Sequence, residues 1–173
     1  MINDLTDLIK IQSKNIEHYN KYPIALIFFI MLILVVPTSF LTSDTELPIA
    51  SVLTLDLLEG FVLTFVEAIF FVYWFGRIGK NHTFLSFLHY NVMLSIAASI
   101  PTIAILLITQ NFEPTSWIAI IGGFIAISYI IYMFSVNLAL ATGSSKKYAF
   151  GAILIVILIQ IIFYTFIFSA LVS

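Results

Sequence analysis

The sequence predicts an all-α polytopic membrane bundle of five transmembrane helices, with an N-terminal amphipathic cytoplasmic helix in front of it. Three observations predict it. Of 173 residues, 61% are hydrophobic and only 9% are charged, whereas a soluble domain carries about 25% charged residues. Mean hydropathy is +1.11, so lipid rather than water must solvate most of the surface. Five apolar stretches of spanning length follow one another, at about 23–41, 58–76, 84–108, 117–141 and 148–171. In lipid the backbone must be satisfied within each segment, which makes these stretches helices. The ten-residue alternation of a membrane β-barrel is missing.

Residues 1–22 read as a cytoplasmic segment and 23–173 as the membrane domain. Ile2, Leu5, Ile9, Ile16 and Tyr19 recur at three-to-four spacing, with Asp4 and Asp7 early and the lysines later. That order suits a helix dipole and predicts an amphipathic helix on the cytoplasmic leaflet. The first apolar run is too long for a signal-peptide core and lacks a small-x-small site behind it, so it reads as a retained span. Thr45–Leu58 either extends span two outward or forms an interfacial turn.

Charge distribution sets the orientation. Lys10, Lys14 and Lys21 precede span one, Arg77 and Lys80 form a basic turn between spans two and three, and Lys146 and Lys147 lie between spans four and five. The intervening loops hold only Asp44, Glu46 and Glu113. All basic residues therefore share one side, which the positive-inside rule makes cytoplasmic and which leaves Ser173 outside. The expected location is a bacterial-type inner (cytoplasmic) membrane. Tyr73, Trp74 and Trp117 sit where interfacial anchors belong.

Glu67 is the most informative polar residue. A charged side chain at a helix centre costs about 2.5–3.5 kcal/mol on insertion scales, so it must be neutral, paired or facing a polar cavity. Asp56, eleven residues earlier, lies about 20° from it around a helix, and Glu59 about 80°. His89 and Asn91 on span three, Asn137 on span four and Gln160 on span five are possible partners. A proton or cation relay through Glu67 and His89 is one reading. A neutral Glu67 that fixes helix packing through one hydrogen bond is the other.

Ala119, Gly122 and Gly123 give span four a small-residue face, and Pro101 should kink span three after Ser95, Ala97, Ala98 and Ser99. Packing within the bundle and a dimer or partner face both fit. No cysteine is present, which excludes thiolate sites. Gly143-Ser144-Ser145 is a loop turn rather than a nucleophile elbow, and three histidines without HExxH or paired acids give no metal site. No cofactor is implied and no enzyme is expected. Seven Lys+Arg and a net charge of -2 also argue against nucleic acid as a partner.

From about Gly60 onward the layout resembles the Yip-domain family of Ypt/Rab-interacting proteins and their prokaryotic relatives. The stretch that carries the likeness is FVYWFGRIGKNHTFLSFLHYNVMLSIAASIPT. Gly76, Arg77, Gly79 and Lys80 stand at its glycine-and-basic turn, followed by Phe84, Ser99 and Pro101. Trp117 opening the next span also fits, whereas the Asp-Leu-Tyr-Gly-Pro motif of eukaryotic members is absent. The resemblance implies five spans, a cytoplasmic N-terminus and a role in organising membranes, without Rab-type binding. A non-enzymatic Yip-like protein, acting through lipids, other membrane proteins or itself, is therefore the leading expectation. A small proton- or cation-coupled carrier or channel subunit centred on Glu67 and His89, and an accessory subunit of a larger complex, are the alternatives.

Overall fold

The structure is a computed structural model that describes the backbone of residues 1–42, 49–109, 112 and 116–172; side chains are described within these except at 35–42, 49–59, 106, 109 and 167–172. Six α-helices follow in order: α1 (Ile2–Ile9), α2 (Ile24–Thr42), α3 (Ile49–Gly76), α4 (Phe84–Thr109), α5 (Trp117–Thr142) and α6 (Lys146–Val172), with a 3-10 turn at Ile16–Lys21. Among the described residues there is no strand. Three helical segments, Phe84–Ile105, Trp117–Thr142 and Lys146–Phe166, are long and apolar enough to cross a membrane, and Ile24–Leu34 and Gly60–Gly76 are shorter apolar stretches.

Local chemistry sets the helix ends. Ser116 caps α5 by accepting a hydrogen bond from the Ala119 amide. Gly143 closes the helix in the left-handed region at φ 62, and the Ser144 amide returns to the Ala139 carbonyl. Gly79, at φ 74, does the same for α3, where the Lys80 amide reaches the Phe75 carbonyl. Hydroxyls inside the apolar helices bond the carbonyl one turn back, as Thr64 does to Gly60, Ser99 to Ser95 and Thr102 to Ala98. A hydroxyl satisfied in this way adds little cost in hydrocarbon. Helix α4 continues through Pro101 as one element. Ile49–Leu58 belongs to α3, so this stretch extends the second apolar helix. The Asp56 and Glu59 stripe lies outside the described side chains.

Helix α4 is the core element. It packs against α1, the 3-10 turn, α2, α3 and α5, while α6 packs on α5 and α3. In its apolar window 56% is buried, against 17% in α5 and 22% in α6. The outward faces of α5 and α6 carry exposed Trp117, Phe124, Ile127 and Phe166, the surface expected where lipid replaces water. Phe71, Phe75 and Phe87 interlock between α3 and α4 with ring centroids about 6 Å apart. Trp74 and Tyr148 tie α3 to α6: their rings stack 5.1 Å apart and the Tyr148 hydroxyl donates to the Trp74 carbonyl at 2.6 Å. Trp74 is thus a packing residue as well as a boundary one.

The N-terminal segment differs from a single amphipathic helix. Helix α1 stops at Ile9, and Ile11 adopts φ 60, a region that a β-branched residue enters only under tertiary constraint. Ile16 and Tyr19, expected on the α1 stripe, are fully buried in the 3-10 turn instead. Leu5 and Leu8 are buried in the core cluster. The apolar face of this segment is therefore spent on the protein's own helices. A Cβ built on Gly123 would meet nothing within 4 Å, so that end of the Ala119–Gly123 step is not a close helix contact with any described residue.

Candidate functional site

The polar residues inside the apolar helices sort into two groups. Glu67, on the middle of α3, is 6% exposed. Its Oε2 accepts from Asn91 Nδ2 of α4 at 2.6 Å and its Oε1 from Gln160 Nε2 of α6 at 2.6 Å. One carboxyl group thus joins three helices through two neutral amides. Neither amide brings a charge, so an ionised Glu67 would carry its negative charge without a cation beside it among the described residues. Among the described residues Asn91 Oδ1, buried with its residue, has no hydrogen-bond partner, which leaves an acceptor unmet at the same place.

A cavity of about 290 Å³ opens beside this triad and is lined by all five long helices, with Met31, Thr64, Glu67, Asn91, Phe134 and Gln160 among its walls. Most of the wall is apolar; the polar groups converge at Glu67. A mostly apolar chamber with a few placed polar groups is the usual form of a small-ligand site. The groups that converge at Glu67 are the carboxylate, Asn91 Oδ1, the Thr64 hydroxyl oxygen, whose own proton goes to the Gly60 carbonyl, and the Asn91 and Gln160 amide nitrogens, each with a second N–H. The one formal charge among them is the carboxylate's, which suits a cation or a proton better than an anion. Among the described residues no group of three His, Cys, Asp or Glu could hold a metal ion, so a single charge is all that Glu67 can balance.

His89 and Asn137 are not part of this group. His89 faces the Leu85 carbonyl through Nδ1 at 2.8 Å and the Tyr22 carbonyl through Nε2 at 3.1 Å. No hydrogen bond joins it to Glu67 among the described residues, so the relay read from the sequence has no His89 link. Asn137, fully buried, donates to the Leu8 carbonyl at 2.7 Å. Both residues receive the N-terminal segment. Tyr129 donates to the Ile9 carbonyl at 2.7 Å, Tyr90 and Ser13 share a hydrogen bond at 2.9 Å, and Asn20 donates to Ser86 at 2.9 Å.

Asp4 holds that segment in shape. It is 3% exposed and is approached by Lys14 Nζ at 2.6 Å, Lys21 Nζ at 2.7 Å, the Tyr22 hydroxyl at 2.6 Å and His18 Nε2 at 2.9 Å. Burial alone would raise its pKa, but these bonds outweigh burial and hold the carboxyl well below the usual carboxylate range. Lys14 and Lys21 are raised in turn by their bonds to Asp4. Glu17 and His82, 2.5 Å apart, pin the segment to the turn between α3 and α4. Arg77 lies over the Trp74 ring, 5.9 Å from its centroid. Lys80 reaches the turn between α5 and α6, where a Cβ on Gly143 would meet its ammonium at 3.3 Å.

Sequence reasoning missed Asp4, Ser13, Tyr90 and Tyr129. The available signal was the run of polar groups on the N-terminal half of α4 and the C-terminal half of α5, namely Ser86, His89, Tyr90, Asn91, Tyr132, Ser135 and Asn137. Comparison with protein-family models, curated proteins and solved structures finds no match for this chain.

Proposed function

We propose that the chain is a small non-enzymatic membrane protein of five spans, N-terminus cytoplasmic, that binds a proton or a monovalent cation at Glu67 as a carrier or channel subunit. The observation that supports this reading is the cavity that reaches Glu67, with Asn91 Oδ1 beside it unpaired among the described residues. A buried carboxylate held only by neutral amides lacks one positive charge, and one proton or monovalent ion would supply it. His89 has no part in this version of the reading.

The test is thermal melting of the purified protein in detergent across pH and across sodium or potassium at constant ionic strength, for wild type and Glu67→Gln. Gln keeps the side chain's size and its place between Asn91 and Gln160 while removing the titratable group. Wild type is expected to melt higher with one cation or with added proton, by up to about 2.7 kcal/mol of stabilisation at a hundredfold excess over Kd. Glu67→Gln is expected to fold and to lose that response. Identical profiles for the two proteins would remove the proposal.

A second reading is the Yip-like scaffold, acting through lipid and protein contacts in a cytoplasmic membrane. It is favoured by the triad itself, which clamps α3, α4 and α6 as a structural polar bond would. Under it, Glu67→Gln melts like wild type in every condition.

A further inference from the structure

Away from the Glu67 cavity, a cleft of about 460 Å³ runs between α5 and α6. Its walls include Ile131, Val136 and Phe150, with Ser128 at one end and Lys146 and Lys147 beside it. On α5 the lining residues recur at three-to-four spacing from Ser128 to Val136, a length of about 12 Å at 1.5 Å per residue. Half of a hydrocarbon core of about 30 Å is about 15 Å, so the cleft matches the depth of one leaflet. The two lysines begin α6, at the level where headgroups replace acyl chains.

The charge at this end is uncompensated. Lys146 and Lys147 are exposed and make no ion pair among the described residues, and the Lys80 ammonium lies against the neighbouring turn at Gly143. The described acids of the N-terminal segment are engaged elsewhere, Asp4 and Asp7 by Lys14, and Glu17 by His82. An apolar slot one leaflet deep, topped by ammonium groups with no acid to meet them, has the charge and shape of a phospholipid turned inside out. We propose that the α5–α6 cleft binds one anionic phospholipid, its acyl chain along Ile131, Val136 and Phe150 and its phosphate at Lys146 and Lys147.

The experiment is lipid retention by native mass spectrometry of the full chain, released from vesicles of phosphatidylcholine with and without phosphatidylglycerol. Wild type is expected to retain one phosphatidylglycerol in preference to phosphatidylcholine. The double variant K146Q/K147Q is expected to bind it about 30-fold more weakly, from the loss of two lysine–phosphate attractions. Ser128→Trp, which fills the far end of an exposed slot, is expected to reduce retention with both lysines intact. Lys10→Gln, which removes a charge from an exposed site elsewhere, is expected to retain the lipid. Undiminished retention in K146Q/K147Q overturns the proposal. So does equal competition by soluble glycerol phosphate, which would mean a site for free anions, and so does full retention in Ser128→Trp, which would mean surface attraction without a slot. Loss of retention in Lys10→Gln equal to that of the lysine pair would also overturn it, since net charge alone would then explain the binding.

Discussion

Replacing Asp4 by Asn removes one charge from the centre of the N-terminal segment and leaves the fold of α2–α6 untouched. The carboxylate is almost fully buried, and Lys14, Lys21 and Tyr22 all approach it within 2.7 Å. The two lysines are 43% and 47% exposed, so after the substitution Lys14 keeps Asp7 at 3.2 Å, Lys21 returns to water and no stranded cation remains. The expected loss is therefore smaller than the 3–5 kcal/mol of breaking a fully buried pair, and lies at about 2 kcal/mol from the lost charge-assisted bonds to Asp4. At 1.4 kcal/mol per factor of ten, that raises the open population of the segment about 30-fold. Hydrogen exchange of the α1 amides, such as Leu5 and Lys10, whose bonds run to Met1 and Thr6, reads the change directly. Acid should mimic the variant. A carboxyl whose folded pKa lies below its unfolded value of about 3.9 contributes stability above that value and loses it as pH falls. Protection of α1 in wild type should accordingly fade below about pH 4, and Asp4→Asn should lose less there, since only Asp7 and Glu17 remain to be protonated in the segment. Equal exchange rates in the two proteins at neutral pH would refute the argument that this charge holds the segment.

Other outcomes follow from the same contacts. A reporter fused after Ser173 is expected to read as non-cytoplasmic and one placed between Arg77 and His82 as cytoplasmic; finding both on one side would overturn the five-span topology. Asn137→Leu removes one of the two bonds to the Leu8 carbonyl, which keeps the Ile11 amide, and is expected to loosen α1 by about 1 kcal/mol, seen as faster exchange of α1 amides without a change in the exchange of α6. Glu67→Leu leaves Asn91 and Gln160 without their acceptor and is expected to lower the melting temperature more than Glu67→Gln does, whichever role Glu67 has.

The long helices were legible because their signal is local and one-dimensional. Runs of apolar residues bounded by Ser116, Gly143 or the basic turn fix a helix without reference to anything distant, and α4 and α5 begin and end within a residue of the apolar stretches that predict them. Glu67, Asn91 and Gln160 were legible as residue types, since each is costly at its depth. Their meeting was not, because it depends on the rotation of three helices about their own axes, and these helices are apolar nearly all round. Only α3 carries acids near one face, Asp56 with Glu67; α4 and α6 have no such stripe, so the sequence does not say which of their faces turns inward. His89 was misassigned for a related reason. Its depth matched Glu67 well enough, but the groups that claim it are backbone carbonyls of Leu85 and Tyr22, and a carbonyl acceptor has no sequence signature. The N-terminal segment misled most. Its spacing predicted one helix on a lipid surface, and a spacing argument cannot see that Ile16 and Tyr19 have a protein surface to bury against.

The attachment of the N-terminal segment also constrains the order in which the molecule can be completed. Leu8 and Asn137 are separated by 129 residues, Ile9 and Tyr129 by 120, and Ser13 and Tyr90 by 77. The segment leaves the ribosome before any of its receptors exist. At roughly 5–20 residues per second, Asn137 follows Leu8 by roughly ten seconds. Until α4 is made, Ile16 and Tyr19 lack the partners they find there, and until α5 follows, Leu8 and Ile9 lack Asn137 and Tyr129. Closure of the segment is thus a long-range step in two stages, and a chain arrested before α5 would have Ser13 and Asn20 on α4 while Leu8 and Ile9 still lacked their partners on α5.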